Sequence, residues 1–251
     1  GWLISMTEFP GRRVMEWALL LPMAFPGYII AMVYVELLEY SGPVQSQLRS
    51  WFGWNSFQDY WFPPIASLGG AVTVLSLVLY PYVYLLARTA FLQQSAALLE
   101  VGRMLGKSLK NSFINVTFPL ARPAIVIGVS LALMETLADL GTMQSFAVKT
   151  FKTGINNTWF GTYNAPTAVQ LSLSLLMFFC VFIFLERYSR RKQCSHTKDS
   201  ILNVYPRYPL SGVNAITALV FFLLPVTFGF ALPAYLLLQW TMESWINVML
   251  D

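Results

Sequence analysis

Long apolar runs alternate with shorter polar connections along this chain. A helix needs about 17 to 25 mostly apolar residues to cross the hydrocarbon core of a membrane. Five runs meet that requirement and predict spanning helices at 14–38, 68–87, 124–140, 168–185 and 213–240. Pro22 and Pro26 interrupt the first run, and Pro225 and Pro233 the last. Spanning helices tolerate prolines when neighbouring groups hydrogen-bond the freed carbonyls.

Lysine and arginine are distributed unevenly between the connections. Thirteen lie before the first run, between the second and third, and between the fourth and fifth, whereas the alternate connections hold Arg49, Lys149 and Lys152. Cytoplasmic loops of membrane proteins carry an excess of Lys and Arg. The side with thirteen basic residues is therefore predicted to be cytoplasmic, and the alternation supports five spans.

Composition agrees with a membrane protein and excludes several other classes. Hydrophobic residues make up 56% of the chain and charged residues 11%, against about 25% charged in a soluble protein. The net charge of +4 forms no basic face with interleaved aromatics, which argues against nucleic-acid binding. Cys180, Cys194 and His196 have no metal-ligand spacing, so no metal site is assigned.

The connections predicted to be external are aromatic. The segments 51–64 and 158–163 contain several Trp, Tyr and Phe residues. Such residues concentrate at membrane interfaces, so we predict interfacial belts or short helices lying on the membrane. Docking of an external partner on these loops is the alternative.

The tripeptide Gly106-Lys107-Ser108 resembles part of a nucleotide-binding loop. A P-loop also needs a glycine five positions before Gly106, where this chain has Val101, and it needs a preceding buried strand. The preceding residues instead have helical spacing. We predict a cytoplasmic amphipathic helix, a break at Gly106 and a second helix to Pro119, with apolar side chains that require a partner protein.

The segment 100–119 resembles the cytoplasmic motif of ABC importer permeases. That motif is Glu-Ala-Ala, three residues, Gly, nine residues, Ile, one residue and Leu-Pro. The positions that match in kind are Glu100, Gly106 and Pro119. The positions that differ are Val101, Gly102, Val116 and Phe118. The stretches beginning "YWFPPIASLGG" and "LALMETLADLG" are similar to ferric-iron importer permeases, and this likeness covers about residues 8 to 190.

The resemblance implies an all-α fold, a polytopic transmembrane helical bundle with a cytoplasmic coupling helix. On this view residues 1–190 are most of the first permease half, 191–212 a cytoplasmic linker, and 213–251 the start of a second half. Since ferric-iron permeases often fuse two halves, the chain is expected to be a piece of a longer protein.

The implied function is that of the translocation subunit of an ATP-driven importer, with ferric iron as the expected cargo. Glu100 would orient the coupling helix, Gly106 would permit its turn, and Pro119 would end the cytoplasmic excursion. The expected partners are cytoplasmic ATP-binding subunits, an external solute-binding protein, the second permease half and membrane lipids. The chain is expected to bind no cofactor, to have no catalytic residues and to lie in the bacterial inner membrane.

Two carboxylates inside the third run have two interpretations. Glu135 and Asp139 are four residues apart, which places them on one helical face. Each would cost roughly 2.5–3.5 kcal/mol at the centre of a span, so each needs a cavity or a partner. They either line the route of a cation, which takes oxygen ligands, or lie at the external helix end in structural roles. Glu36 and Glu39 are predicted boundary charges at the external end of the first run.

Other functions remain open from the residues. A permease for thiamine, polyamines or an oxyanion would share the fold, although acidic residues suit an oxyanion poorly. A polytopic membrane enzyme could use Glu135 and Asp139 but would leave the segment 100–119 unexplained. A membrane scaffold would predict no transport defect from changes in that segment.

Overall fold

The structure is a computed structural model that describes residues 1–93, 111, 113–191 and 208–250. Within these residues the elements are helices apart from one short parallel pairing of strand β1 (Thr7–Glu8) with β2 (Tyr208–Pro209). Four helices are long and apolar enough to cross a membrane, or up to five if one sharply bent pair counts as a span. The predicted all-α transmembrane architecture is confirmed.

The helical segments follow one another along the whole described chain. The α-helices are α1 Trp2–Met6, α2 Arg12–Ala18, α3 Gly27–Leu38, α4 Pro43–Phe52, α5 Leu68–Gln93, α6 Phe118–Ala138, α7 Gly141–Ser145, α8 Phe151–Asn156, α9 Ala165–Arg191, α10 Val213–Val226 and α11 Leu232–Leu250. A 3-10 turn covers Leu21–Ala24, and π-helical turns cover Phe113–Thr117, Asn157–Gly161 and Thr227–Ala231. The four long spans are α5, Phe113–Ala138, Ala165–Phe184 and Val213–Met249, which overlap the second to fifth predicted runs.

The first predicted span is broken. The segments Arg12–Ala24 and Gly27–Phe52 meet at an angle of 86°. Pro26 forces the residue before it into extended backbone, and Phe25 has φ −103° and ψ 136° there. Helix α3 has 12 residues and at 1.5 Å per residue spans about 18 Å, short of a hydrocarbon core of about 30 Å. The run 14–38 is therefore not the continuous helix that the sequence predicts.

Contacts divide the chain into two compact units. The first unit consists of Gly1–Leu19, Tyr80–Glu135 and Leu176–Leu223. The second consists of Leu20–Leu79, Thr136–Leu175 and Leu224–Asp251. This division differs from the predicted domains 1–190, 191–212 and 213–251, which concern permease halves and stay a prediction.

The first unit joins α5 and α6 at a glycine. A Cβ on Gly128 would lie 2.7 Å from Val83 Cα, so only a residue without a side chain permits this approach. Close approach of small residues is a main source of helix association in membranes, because lipid tails are as apolar as the side chains. Near the start of the chain, the rings of Phe9 and Phe222 stack with centroids 5.8 Å apart.

The second unit has its core between α3, α5 and α7. Ile30, Val74 and Phe146 are almost fully buried there. Helix α7 packs closely on α3, since a Cβ on Gly141 would lie 2.7 Å from Tyr28 Cβ. The contact between the start of α7 and the start of α3 therefore leaves no room for a side chain larger than that of glycine at position 141.

Candidate functional site

Of the three predicted coupling residues, the structure describes one. Glu100 and Gly106 lie outside the described residues. Pro119 is the second residue of α6, directly after the π-helical turn Phe113–Thr117, and it is exposed. The last part of the predicted coupling segment and the chain that follows it are thus helical from Phe113 to Ala138.

An aromatic cluster packs the end of α5, before the predicted coupling segment, against the last part of that segment. Phe91, near the end of α5, is 3% exposed, and its ring centroid lies 6.3 Å from that of Phe113. Phe113 also contacts Trp2 at 4.8 Å and Phe118 at 6.1 Å. Tilted aromatic pairs add roughly 0.5–1.5 kcal/mol each beyond their burial. We call these four residues the loop base.

A second cluster in the first unit is ionic. Glu16 on α2 accepts hydrogen bonds from Arg12, at 3.3 Å, and from Arg88 on α5. Arg12 is 6% exposed, lies 3.3 Å from the Glu8 carboxylate and donates to the carbonyl of Ile4. We call Glu8, Arg12, Glu16 and Arg88 the Glu16 cluster. A buried arginine needs such partners, because an unpaired buried charge is strongly destabilising.

The Glu16 cluster fixes α2 to the helix that leads into the loop base. Tyr84, one turn before Arg88 on α5, donates its hydroxyl to the backbone carbonyl of Glu16 at 3.1 Å. Sequence reasoning counted Arg12 and Arg88 only as cytoplasmic charges and did not single out Glu16. The spacing of Glu8, Arg12 and Glu16 was a visible signal, whereas Arg88 is 72 residues from Glu16.

The two predicted pathway carboxylates have different surroundings. Glu135 lies in the last turn of α6 and is exposed. Within the described part of the chain no hydrogen bond or ion pair involves its side chain. Asp139 follows the end of α6 and is half-buried. Their assignment to a substrate route stays a prediction.

Asp139 connects α6 to α7. Its Oδ1 accepts a hydrogen bond from the backbone N–H of Thr142 at 3.0 Å and so satisfies a free donor in the first turn of α7, from the position before the N-cap residue Leu140. Its Oδ2 and the Thr142 hydroxyl each lie 3.2 Å from the position of a Cβ on Gly27. Lys152 donates to the carbonyl of Ala138 and so satisfies the end of α6. This junction gives Asp139 a structural role whether or not cargo passes it.

No metal cluster accompanies these carboxylates. In the described ranges, no three His, Cys, Asp or Glu residues are grouped so that they could hold a metal ion.

Comparison with known proteins identifies the family. The model of the family "Binding-protein-dependent transport system inner membrane component" matches residues 1–193. The chain belongs to this family. The match includes the Glu16 cluster, the loop base and both predicted pathway carboxylates.

Curated relatives of this chain are named for the transport of different substrates. The molybdenum transport system permease protein ModB of Escherichia coli is 26% identical over 146 residues, 58% of this chain and 60% of that protein. The Fe(3+)-transport system permease protein FbpB 2 of Haemophilus influenzae is 22% identical over 241 residues, 96% of this chain and 43% of that protein. The probable sulfate transport system permease protein cysT of Chlorokybus atmophyticus is 27% identical over 147 residues, 57% of this chain and 47% of that protein.

The family and the candidate membrane spans together indicate the cellular location of the protein. The chain spans between 43% and 60% of the length of these three relatives. As a member of an inner-membrane transport family with several apolar helices long enough to span, it is a multi-pass inner-membrane protein. The expected localisation is confirmed.

Proposed function

We propose that this chain is part of the translocation subunit of an ATP-driven importer. The observation that carries the proposal is the family match over residues 1–193, which includes the segment that resembles the coupling motif. The chain itself would perform no covalent chemistry and bind no cofactor. ATP would be bound and hydrolysed by cytoplasmic partner subunits, and an external binding protein would deliver the cargo.

The loop base could transmit movement of the coupling segment to the helices on either side of it. Movement of the ATP-binding subunits would displace the segment carrying Glu100 and Gly106. Phe91 and Phe113 tie both ends of that segment to α5 and to the helical run that begins at Phe113. A displacement would therefore reach both helices together, with Pro119 at the start of α6.

Ferric iron is the cargo that we propose first. The FbpB 2 relative aligns over 96% of this chain, including residues beyond the family match. Glu135 is an exposed carboxylate near the predicted external end of a span. A negative wall without fixed coordination would favour entry of a hard cation and still allow its release.

An oxyanion is the second candidate cargo. Relatives named for molybdenum and sulfate transport are 26% and 27% identical over their matched segments. An anionic cargo would gain nothing from Glu135, so charge removal there distinguishes the two cargoes.

The deciding experiment is ATP-dependent uptake into vesicles that carry the full-length protein with its ATPase and binding protein. Radioactive ferric iron, molybdate and sulfate are supplied in parallel. We expect iron uptake, lost in Gly106→Pro, because proline removes a backbone donor and restricts the turn. Gly154→Ala is the control, since its Cβ would meet only Leu171 at 3.8 Å.

Each outcome has a definite meaning. Uptake of molybdate or sulfate without iron would keep the importer and replace the cargo. Failure to transport any of the three, with ATPase activity that no binding protein stimulates, would contradict the importer function. Normal uptake by Gly106→Pro would contradict the coupling role of the segment.

A further inference from the structure

A cavity of ≈ 340 Å³ lies in the second unit between the end of α3 and the start of α5. Its volume is in the range of about 300–1,000 Å³ that small-molecule sites occupy. The rings of Tyr40, Phe57, Tyr60 and Trp61 line it together with Glu39. The residues come from one continuous stretch, 38–66, so the cavity is a property of this external connection alone.

One part of the cavity wall, formed by Gln45 and Tyr60, is fixed by a hydrogen-bond network. Gln45 is 7% exposed; its amide donates to the carbonyl of Leu38 at 2.8 Å and accepts from the Tyr60 hydroxyl at 2.6 Å. The Tyr60 ring stacks on Trp54 at 4.8 Å, and Trp54 stacks on Phe52 at 4.7 Å. A site with preformed walls loses little conformational entropy when a ligand binds.

Among the charged residues near the cavity, one carboxylate has no hydrogen-bond or ion-pair partner within the described residues. Arg49 donates to the carbonyl of Tyr40, to the Tyr60 hydroxyl and to Ser46, and its guanidinium lies 4.0 Å from the centre of the Tyr40 ring. Asp59 accepts from the N–H groups of Asn55 and Ser56. Glu39 has no ion pair or side-chain hydrogen bond among the residues that the structure describes. Arg49 keeps its positive charge because these partners are neutral, but it is not among the lining residues; Glu39 is the charged residue that lines the cavity.

Aromatic rings with one carboxylate favour an organic ammonium group. Ring faces attract cations, and Tyr and Trp are effective partners of ammonium groups. A bare divalent or trivalent metal would require several oxygen ligands, and one carboxylate does not supply them. A primary amine instead fits a site that offers the Glu39 carboxylate and the rings of Phe57, Tyr60 and Trp61, since Arg49 already occupies a face of the Tyr40 ring.

The location indicates where such an amine comes from. The cavity follows α3 and precedes α5, a spanning helix, on the side that charge distribution makes external. Trp51, Phe52 and Trp61 are 72%, 62% and 85% exposed around it, as expected of side chains at headgroup depth. We propose that this cavity binds the ammonium headgroup of an aminophospholipid, phosphatidylethanolamine, with Glu39 as the charge partner and Trp61 as the covering ring.

The test is lipid retention by the purified full-length protein in detergent. The protein is incubated with equal amounts of phosphatidylethanolamine and phosphatidylglycerol, and native mass spectrometry counts the bound lipids. We expect about three- to ten-fold preference for phosphatidylethanolamine. Equal retention of the two lipids would overturn the proposal.

Two variants and one control make the test specific to the cavity. Glu39→Gln and Trp61→Ala should each lower the preference, while Glu36→Gln, which changes a carboxylate in the last turn of α3 that does not line this cavity, should leave it unchanged. Melting temperatures confirm that the variants fold. Unchanged preference in Glu39→Gln would overturn the role of the carboxylate. Complete displacement of the lipid by millimolar ethanolamine would overturn the lipid as the source of the amine.

Discussion

Glu16 and Glu135 are carboxylates in two predicted membrane runs, and their surroundings in the structure are opposite. Glu16 is paired with Arg12 and Arg88 and is 20% exposed. Glu135 is exposed and has no partner within the described residues. The difference separates a carboxylate that holds helices together from one that is exposed and unpaired among the described residues.

Glu16 differs from Glu135 because it lies beside a buried arginine that needs a negative partner. Arg12 is too deeply buried to be solvated by water, so Glu16 and Glu8 must compensate it. No cation occupies a comparable position beside Glu135 among the described residues. Substitution should therefore affect stability at Glu16 and transport at Glu135.

Glu16→Ala is expected to have the largest effect on stability. It removes the partner that Arg12 and Arg88 share, and we expect the free energy of unfolding to fall by about 2–3 kcal/mol. Denaturation of the full-length protein in detergent measures the change. Glu8→Ala is the control: its carboxylate is 51% exposed and should contribute under about 1 kcal/mol. Equal losses from both variants would contradict the shared-partner arrangement.

The sequence predicted the parts of this contrast that depend on composition and local spacing. Four of the five apolar runs form helices that are long and apolar enough to cross a membrane, which length and hydropathy alone predict. Pro22 and Pro26 were recognised, and the extended backbone of Phe25 follows from the local rule for a residue before proline, but the 86° angle between the two segments depends on their packing. The Arg88 partner of Glu16 depended on a contact across 72 residues. A structural role of Asp139 at the end of α6 was one of the two interpretations that the sequence allowed, but its Thr142 partner was not predicted.

Substitutions of Asp139 can separate the effect of its charge on transport from the effect of its hydrogen bond on stability. Asp139→Ala removes the acceptor for the Thr142 N–H, and we expect a loss of about 1 kcal/mol. Asp139→Asn keeps an acceptor and should be close to wild type in stability, because the side-chain carbonyl of Asn can accept the same hydrogen bond. Denaturation and iron uptake are measured on both variants. Reduced uptake in Asp139→Asn at normal stability would give this residue the same role as Glu135; unchanged uptake would leave it a structural residue.

Asp59 provides a third kind of carboxylate, one that is paired with backbone and fully exposed. Hydrogen bonds from the N–H groups of Ser56 and Asn55 lower the pKa of Asp59 below its ordinary value of 3.8. A lowered folded pKa means that the charged form stabilises the loop above the unfolded pKa, and that this contribution is lost as pH falls through the folded pKa. Hydrogen exchange of the Asn55 and Ser56 amides should accelerate, relative to its intrinsic rate, below about pH 4. Asp59→Ala should lack this transition, and a transition that persists in the variant would assign it to another group.

Glu135→Gln is expected to have the smallest effect on stability and is the most informative for function. Since no described group pairs with the carboxylate, the free energy of unfolding should stay within about 0.5 kcal/mol of wild type. If Glu135 lines the route of a cation, iron uptake should nevertheless fall about ten-fold, because loss of about 1.4 kcal/mol of attraction corresponds to that factor. Uptake rates at several iron concentrations and the melting temperature are measured on the same preparation. Normal uptake would remove Glu135 from the route, whereas a large loss of stability would mean that it has a structural partner and resembles Glu16 after all.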